Sequence, residues 1–263
     1  FDVAAKKVEP LTAGRYNESN PSWSPDGRWI AFISERSADP DRANDSNVYV
    51  IEAQVGSEPR QLTTWSGPDE GRPAWSPDGK HLAYLQGSEP RLGAYNLNQL
   101  AIVAVEGGEG RVLTAALDRA VSGAEWAADG ASILVQLQDD RAVQLARVRV
   151  SDGAVTRLTE GRRVVSAYVV AANGRLAVLA GTPVQPNEIL TFENGALRPL
   201  TKENAAWLEG VQLGTTEDFT ARGKDGTVVN GLMVKPAAFK AGTRYPTLVR
   251  INGPKTVIEG ALT

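Results

Sequence analysis

Cysteine is missing from all 263 residues, and histidine and methionine occur once each. The first absence removes disulfides, thiolate nucleophiles and cysteine-ligated zinc, and leaves the redox compartment unread. The single histidine, His81, stands inside the strand-like run GKHLAYL. Ser-His-Asp chemistry needs an imidazole within reach of a nucleophile, so a lone strand histidine is expected to be a packing or edge residue. No G-x-S-x-G elbow occurs either, so the stretch as it stands is expected to be hydrolytically silent. Charge of one sign is equally scarce. With 28 Lys and Arg against 31 Asp and Glu, a net charge of −3 and no run of five like charges, there is no basic field for nucleic acid. No apolar run approaches the roughly 18 to 20 residues of a membrane span, and FDVAAKKVEP has neither the charged start nor the apolar centre of a signal peptide. Any export signal of a parent protein is expected outside this sequence.

What the chain does have is a period. WSPDG at Trp23 recurs letter for letter at Trp75, then as WAADG at Trp126 and in decayed form as VAANG at Val170, with spacings of 52, 51 and 44. A Leu-Thr pair keeps step with it at Leu11, Leu62, Leu113, Leu158 and Leu200, with spacings of 51, 51, 45 and 42. Two markers in phase over four periods indicate structural repetition, and a period in this range decides the fold before local structure does.

Each unit reads as four strands. In S-P-D-G the proline presets φ, aspartate suits the next turn position, and Gly27 or Gly79 supplies the positive φ from which a new strand starts. The strands that follow, RWIAFIS, KHLAYLQ and ASILVQL, carry apolar residues on both faces, the pattern of a strand buried between two sheets. A third strand comes next in NVYVIEA, NQLAIVAVE, VQLARVRVS and NEILTFE, then a glycine-bearing connection and the Leu-Thr strand. Four strands of about five or six residues with their turns fill roughly 40 to 50 residues, the size of a propeller blade. The expected fold is therefore mainly β, a partial β-propeller of four-stranded antiparallel blades. Residues 1–205 hold half a blade plus four, since FDVAAKKVEPLT has the form strand, turn, Leu-Thr strand.

After LTKENAAWL the rhythm stops. EDFTARGKDGTVVNGLMVKPAAF reads as a hairpin around Asp225-Gly226, and RYPTLVRINGP as a proline-led, β-branched strand. WSPDG blades with Leu-Thr strand ends, the insertion SERSADPDRANDSNVYVIEA, then KDGTVVNGLMVKP and YPTLVRINGP, together resemble the prolyl oligopeptidase family of serine peptidases, in its acylaminoacyl-peptidase-like and dipeptidyl-peptidase-like bacterial members. The resemblance runs from Phe1 to about Pro254. It implies that residues 206–254 start an α/β-hydrolase domain over whose active site the propeller sits, admitting short peptides to an acyl-enzyme reaction. The Ser, Asp and His of the triad would all lie beyond this chain. Residues 255–263, KTVIEGALT, do not match the family's continuation and stand apart as a tail. Periplasmic propellers of the Tol-system type share the blade motif, and a non-enzymatic propeller of that kind that binds a protein or peptide is the alternative. A catalytically dead peptidase homologue is another.

The resemblance places Asn252 and Gly253 near a loop whose backbone N–H groups help hold the oxyanion. The family usually has His-Gly-Gly-Pro there, whereas this chain has Asn and a single Gly before Pro254. Tyr16, Asn17 and Glu18 precede the first strand of a blade, where propeller loops face the catalytic domain in the family, and are the candidate lining of a substrate path. Asp39, Asp41 and Asp45 form a spaced set of carboxylates that is expected to be a solvated loop rather than a calcium site. Glu106 and Glu109 flank Gly107-Gly108 and read as a hairpin tip rather than an amine clamp. Trp23, Trp75 and Trp126 hold one equivalent position per blade and are expected to pack blade on blade. No metal and no cofactor is expected, the partner is a peptide substrate without nucleic acid or membrane insertion, and the family's exported bacterial members point to the periplasm or beyond.

Overall fold

The computed structural model describes residues 4, 6–90, 97–171 and 173–250. Among these, strands dominate, and they form four antiparallel meanders, the third and fourth joined into one sheet by a parallel pairing of Val143 with Val164, and one further hairpin. The first meander is β1 (Glu18–Trp23), β2 (Trp29–Ser34), β3 (Asn47–Glu52) and β4 (Arg60–Gln61), with the one-turn helix α1 (Pro40–Ala43) between β2 and β3. The second is β5 (Asp69–Trp75), β6 (His81–Gln86), β7 (Gln99–Ala104) and β8 (Arg111–Val112), and the third is β9 (Val121–Trp126), β10 (Ser132–Gln138), β11 (Val143–Arg149) and β12 (Val155–Arg157). The fourth runs β13 (Val164–Val170), β14 (Leu176–Thr182), β15 (Gln185–Glu193) and β16 (Ala196–Pro199). After a short helix α2 (Ala205–Glu209) comes the hairpin β17 (Thr216–Arg222) and β18 (Val228–Val234). The half-blade expected at the N-terminus falls partly on residues outside those described.

The chain divides into two compact units. One is Phe1–Leu137 with Leu145–Arg157 and Ala172–Gly174, and the other is Gln138–Gln144, Leu158–Ala171 and Arg175–Thr263. In the first unit the middle strands are apolar on both faces, as their sequence demands, and two cores result. Ala31, Ile33, Val48, Val50 and Leu62 of the first meander meet Leu82, Tyr84, Ala101 and Val103 of the second. The opposite face of the second, through Ala83, Leu85, Leu100 and Ile102, meets Val121, Ile133, Val135, Ala146 and Val148 of the third. The second sheet thus has a core on either side, which is how blades stack. Truncating a fully buried leucine such as Leu100 to alanine costs about 2 to 5 kcal/mol at sites of this kind.

The WSPDG turn has one geometry wherever it is complete. Ser24 Oγ donates to Asp26 Oδ1 at 2.6 Å and accepts from the Trp29 amide at 2.9 Å, while the Arg28 amide donates to Asp26 Oδ1 at 3.1 Å. Ser76, Asp78, Lys80 and His81 repeat these bonds at 2.6, 2.9 and 3.1 Å. Gly27 and Gly79 sit at φ 70° and 71°, where a Cβ is disfavoured. A Cβ on Gly79 would lie 3.8 Å from Pro25 Cδ, and one on Gly130 would lie 3.8 Å from Pro77 Cδ, so each turn rests on the proline of the one before.

Tryptophan does pack blade on blade at two of its three positions, and with a direction. The Trp75 indole N–H donates to the Ser22 carbonyl at 3.1 Å, and that of Trp126 to the Ala74 carbonyl at 2.9 Å. Each accepting residue immediately precedes the tryptophan of the previous blade. Trp23 departs from the expectation and is 59% exposed. Arginines add a second repeated staple: Arg60 reaches the Val105 carbonyl at 2.6 Å, and Arg111 the Val150 carbonyl at 2.5 Å.

The Leu-Thr pair lies just past the fourth strand and extends its ladder by one residue. The Leu62 amide donates to the Val48 carbonyl at 2.8 Å, and the Val48 amide returns a bond to Thr63 Oγ1 at 2.8 Å. Leu113 and Thr114 do the same to Leu100 at 2.7 and 2.9 Å, and Leu200 and Thr201 to Ile189 at 2.8 and 3.0 Å. Threonine closes the ladder with its hydroxyl in place of a backbone carbonyl.

In the second unit the β17–β18 hairpin turns at Gly226, φ 85°, as its Asp-Gly pair requires, and the Gly223 amide donates to the Thr227 carbonyl at 2.8 Å. The strand expected from Tyr245 is not formed over residues 245–250. Leu248 is 101% exposed there, with no neighbouring strand to supply ladder partners. The helix α2, which the sequence reading did not anticipate, occupies the alanine-rich stretch of LTKENAAWL.

Candidate functional site

Of the sequence-predicted substrate-path residues, Tyr16 and Glu18 converge on Arg36, a residue the sequence does not single out. Its guanidinium lies 4.9 Å from the Tyr16 ring centroid, 4.7 Å from that of Tyr49 and 5.9 Å from that of Phe32. Phe32 and Tyr49 are themselves stacked at 5.9 Å. Arg36 Nη2 donates to Glu18 Oε1 at 3.0 Å and Nε to Ser34 Oγ at 3.2 Å, and the Ser34 hydroxyl donates to the Asn17 carbonyl at 3.0 Å. Strand alternation explains the grouping: Phe32 pairs with Tyr49 across β2 and β3, and Glu18 with Ser34 across β1 and β2. Burial raises the Tyr49 phenol above its ordinary value, with the Arg36 charge opposing. Contacts of a cation with aromatic faces contribute about 0.5 to 2 kcal/mol each. The result is a fixed guanidinium just past the end of β2, braced on three rings and one carboxylate. Asn17 contributes only its backbone.

A second group of charged side chains lies wholly within the second unit, around a cavity of about 400 Å³ lined by Asp140, Arg141, Gln144, Arg162, Arg163 and Asp218 among others. Arg141 Nη1 is 3.1 Å from Asp218 Oδ1, and Arg162 Nη2 binds Asp218 Oδ2. Arg141 Nη2 also bonds Asp140 Oδ2 at 2.8 Å, and Arg162 Nη1 the Thr216 carbonyl at 2.9 Å. None of these residues was singled out from the sequence. The available signal was QDDRAV, a two-residue hairpin tip that ends in Arg where glycine is usual.

Asp69, at the start of β5, is a third outcome. It is 0% exposed, Thr63 Oγ1 donates to its Oδ2, and its Oδ1 has no partner. Burial pushes its pKa up to about 7, the Thr63 hydroxyl holds it down in part, and the Asp45 charge pushes it further up.

Asp39 pairs with Arg42 at 3.7 Å and Asp45 accepts from the Gly67 amide at 3.2 Å, so these two carboxylates serve different partners; the Asp41 side chain lies outside those described. Among the described residues no three His, Asp or Glu side chains are placed to hold a metal. Glu106 and Glu109 are exposed at the Gly107-Gly108 tip, where the Gly107 amide donates to the Ala104 carbonyl at 3.0 Å. His81 is half-buried on β6, its amide bound to Ser76 Oγ. Asn252 and Gly253 lie outside the described residues.

No family model matches the chain. The dipeptidyl-peptidase 5 of Porphyromonas gingivalis is 24% identical over 237 residues, covering 88% of this chain and 34% of that protein. Among solved structures, an acylaminoacyl peptidase in complex with Z-Gly-Gly-Phe-chloromethyl ketone matches with a TM-score of 0.68 at 19% identity, over 87% of this chain and 34% of its own. TolB from Acinetobacter baumannii matches with a TM-score of 0.58 at 15% identity, over 88% of this chain and 55% of its own. At such identities the structural likeness speaks for the fold, that of propeller blades. The chain spans about a third of the length of the peptidase relatives it matches. Over most of its length, the chain is a relative of peptidases of the prolyl oligopeptidase family, matching them through their propeller part.

Proposed function

We propose that this chain is the propeller-containing portion of a serine-type peptidase that hydrolyses short peptides through an acyl-enzyme, with the propeller restricting access. In this reading residues 1–205 are propeller, residues 206–254 start the α/β-hydrolase domain, and the nucleophile, base and acid lie in a part of the protein beyond this sequence. One observation carries it: relatives named as peptidases align over 88% of the chain, through the segment that holds the β17–β18 hairpin as well as the blades. The propeller contributes by excluding large or folded substrates from a water-poor site, and Tyr16, Glu18 and Arg36 are its candidate contacts with peptide. We place the parent in the periplasm or outside the cell, which fractionation of producing cells tests.

The test of activity uses the full-length protein with aminoacyl- and dipeptidyl-p-nitroanilides. Turnover that a serine-directed phosphonate abolishes supports the reading. The likeness to TolB favours a second one, a propeller that binds a protein or peptide without cleaving it. Absence of turnover together with saturable binding of a protein partner would establish that alternative.

A further inference from the structure

The tip between β10 and β11 breaks a local rule. Asp139 and Ala142 exchange both backbone bonds, at 2.9 and 3.2 Å, so the loop has two residues, Asp140 at φ 46° and Arg141 at φ 68°. Two positive φ values call for Asn-Gly or Asp-Gly. The same chain obeys this at the β15–β16 tip, where Asn194 and Gly195 stand at 51° and 78°. A Cβ at the second position is unfavourable, and such strain persists only where surrounding contacts hold it. Here the Arg141 side chain supplies those contacts. Arg141 Nη1 binds the Asp218 carboxylate of β17 at 3.1 Å and the Gly231 carbonyl of β18 at 3.2 Å, so one guanidinium grips both arms of the hairpin. Arg162 takes the other Asp218 oxygen and the Thr216 carbonyl. Asp139, Asp140 and Asp218 balance Arg141, Arg162 and Arg163 around the cavity, so the arrangement holds itself together rather than presenting a field to an ion.

We propose that Arg141 is a positioning residue: with Arg162 it pins Asp218, fixes the β17–β18 hairpin, and thereby limits the length of peptide admitted. The second half rests on the peptidase reading. Loss of Arg141 frees the hairpin, whereas its replacement by glycine suits the turn better than arginine does, so the blade itself keeps its fold. This makes Arg141→Gly the informative variant.

The experiment is hydrogen exchange and peptide selectivity on the full-length protein. Arg141→Gly and Asp218→Asn should each speed amide exchange in residues 216–222 and 228–234 by about tenfold or more, leaving residues 47–52 and 99–104 unchanged. The double variant should be faster than either single variant but by less than the sum, because the two share one contact while Arg141 also holds Gly231 and Asp218 also holds Arg162, and Arg141→Lys should fall between wild type and Arg141→Gly. Selectivity for a ten-residue peptide over a dipeptidyl substrate should rise severalfold in Arg141→Gly, through KM. Unchanged or slower exchange in the hairpin, or additive effects in the double variant, would overturn the latch. Faster exchange with unaltered selectivity would overturn its role in admitting peptide. A wild-type protein that cleaves no peptide sinks the peptidase reading, while exchange still decides whether Arg141 holds the hairpin.

Discussion

Asp69 and Glu188 are both buried acids bound by the threonine of a Leu-Thr pair, yet their protons behave oppositely. In the first unit Thr63 Oγ1 accepts from the Val48 amide and donates to Asp69. In the second, Thr201 Oγ1 accepts from the Ile189 amide and donates to Glu188. Asp69 is pushed up to about 7, chiefly by burial. Glu188 is drawn down to about 2, first by the Thr201 hydroxyl and then by the Asn204 and Glu203 amides, at 2.9 and 3.2 Å, and the Asn204 side chain, at 3.1 Å. At Asp69 burial outweighs the single hydroxyl that reaches the carboxylate, whereas at Glu188 the N–H and O–H groups aimed at the carboxylate outweigh burial.

The largest expected effect follows at Asp69. Its folded pKa lies above the unfolded value, so its contribution to stability is fully present below about pH 4 and is lost as pH rises to about 7. The loss is up to about 4 kcal/mol, an upper figure because partial unfolding or water entry would relieve it. Chemical denaturation at pH 5 and pH 8 should show the wild type weaker at the higher value, and Asp69→Asn should remove most of that difference. Equal slopes in the two proteins would refute the assignment.

Next in size is the hydroxyl. Thr63→Val leaves the Val48 amide unpaired in a core where Val48 is fully buried, at a cost of about 1 to 3 kcal/mol. Thr201→Val does the same to Ile189, which is 44% exposed, so water substitutes and the cost falls below about 1 kcal/mol. Denaturation midpoints of the two variants compare them directly. Equal costs would mean that solvent access to the amide is not what separates the two sites.

These differences mark what a sequence can and cannot show. Four blades, their turns and the Asp225-Gly226 hairpin were legible because periodicity and turn residues act over a few positions. The role of threonine was half legible: the pairs at Leu62, Leu113 and Leu200 recur, but the amide each hydroxyl binds lies 12 to 15 residues upstream, in another strand. Asp69 reads as an ordinary polar residue ahead of a strand, and only its neighbours from β3 and β4 make it dry. Arg36 was passed over because its partners Tyr16, Glu18 and Tyr49 meet only once β1, β2 and β3 pair. Arg141 was missed for a different reason, since a non-glycine turn looks like noise until the distant Asp218 is seen to hold it.

An acid titration separates the pair from the other side. Glu188 has a folded pKa below its unfolded one, so its contribution is present above about pH 4.5 and lost as pH falls toward 2. Glu188→Gln should therefore flatten the acid limb of the stability curve and leave the limb between pH 4 and 7 to Asp69. Local hydrogen exchange over residues 185–193 and 69–75 would assign each limb to its segment, and a single limb common to both would merge what the structure keeps separate.

The smallest effect lies in the WSPDG turns, where the same hydroxyl relay runs from a buried serine to an exposed aspartate. Ser24 Oγ accepts from the Trp29 amide and donates to Asp26, and Ser76 does the same between His81 and Asp78. Both aspartates sit below the usual carboxylate range, with the serine hydroxyl as the first cause. Donors therefore lower these exposed carboxylates as they do Glu188, and Asp69 is the exception because burial outweighs the hydroxyl that reaches it. Ser24→Ala and Ser76→Ala should each cost less than about 1 kcal/mol, because Asp26 and Asp78 are exposed and water replaces the lost donor. The third turn already has Ala127 at this position and keeps only the Ala131 amide to Asp129, at 2.9 Å. Ala127→Ser should restore the relay and slow amide exchange at Ser132, the position equivalent to Trp29 and His81. If the Ser132 amide exchanges as fast in Ala127→Ser as in the wild type, the serine hydroxyl is not what ties this turn together.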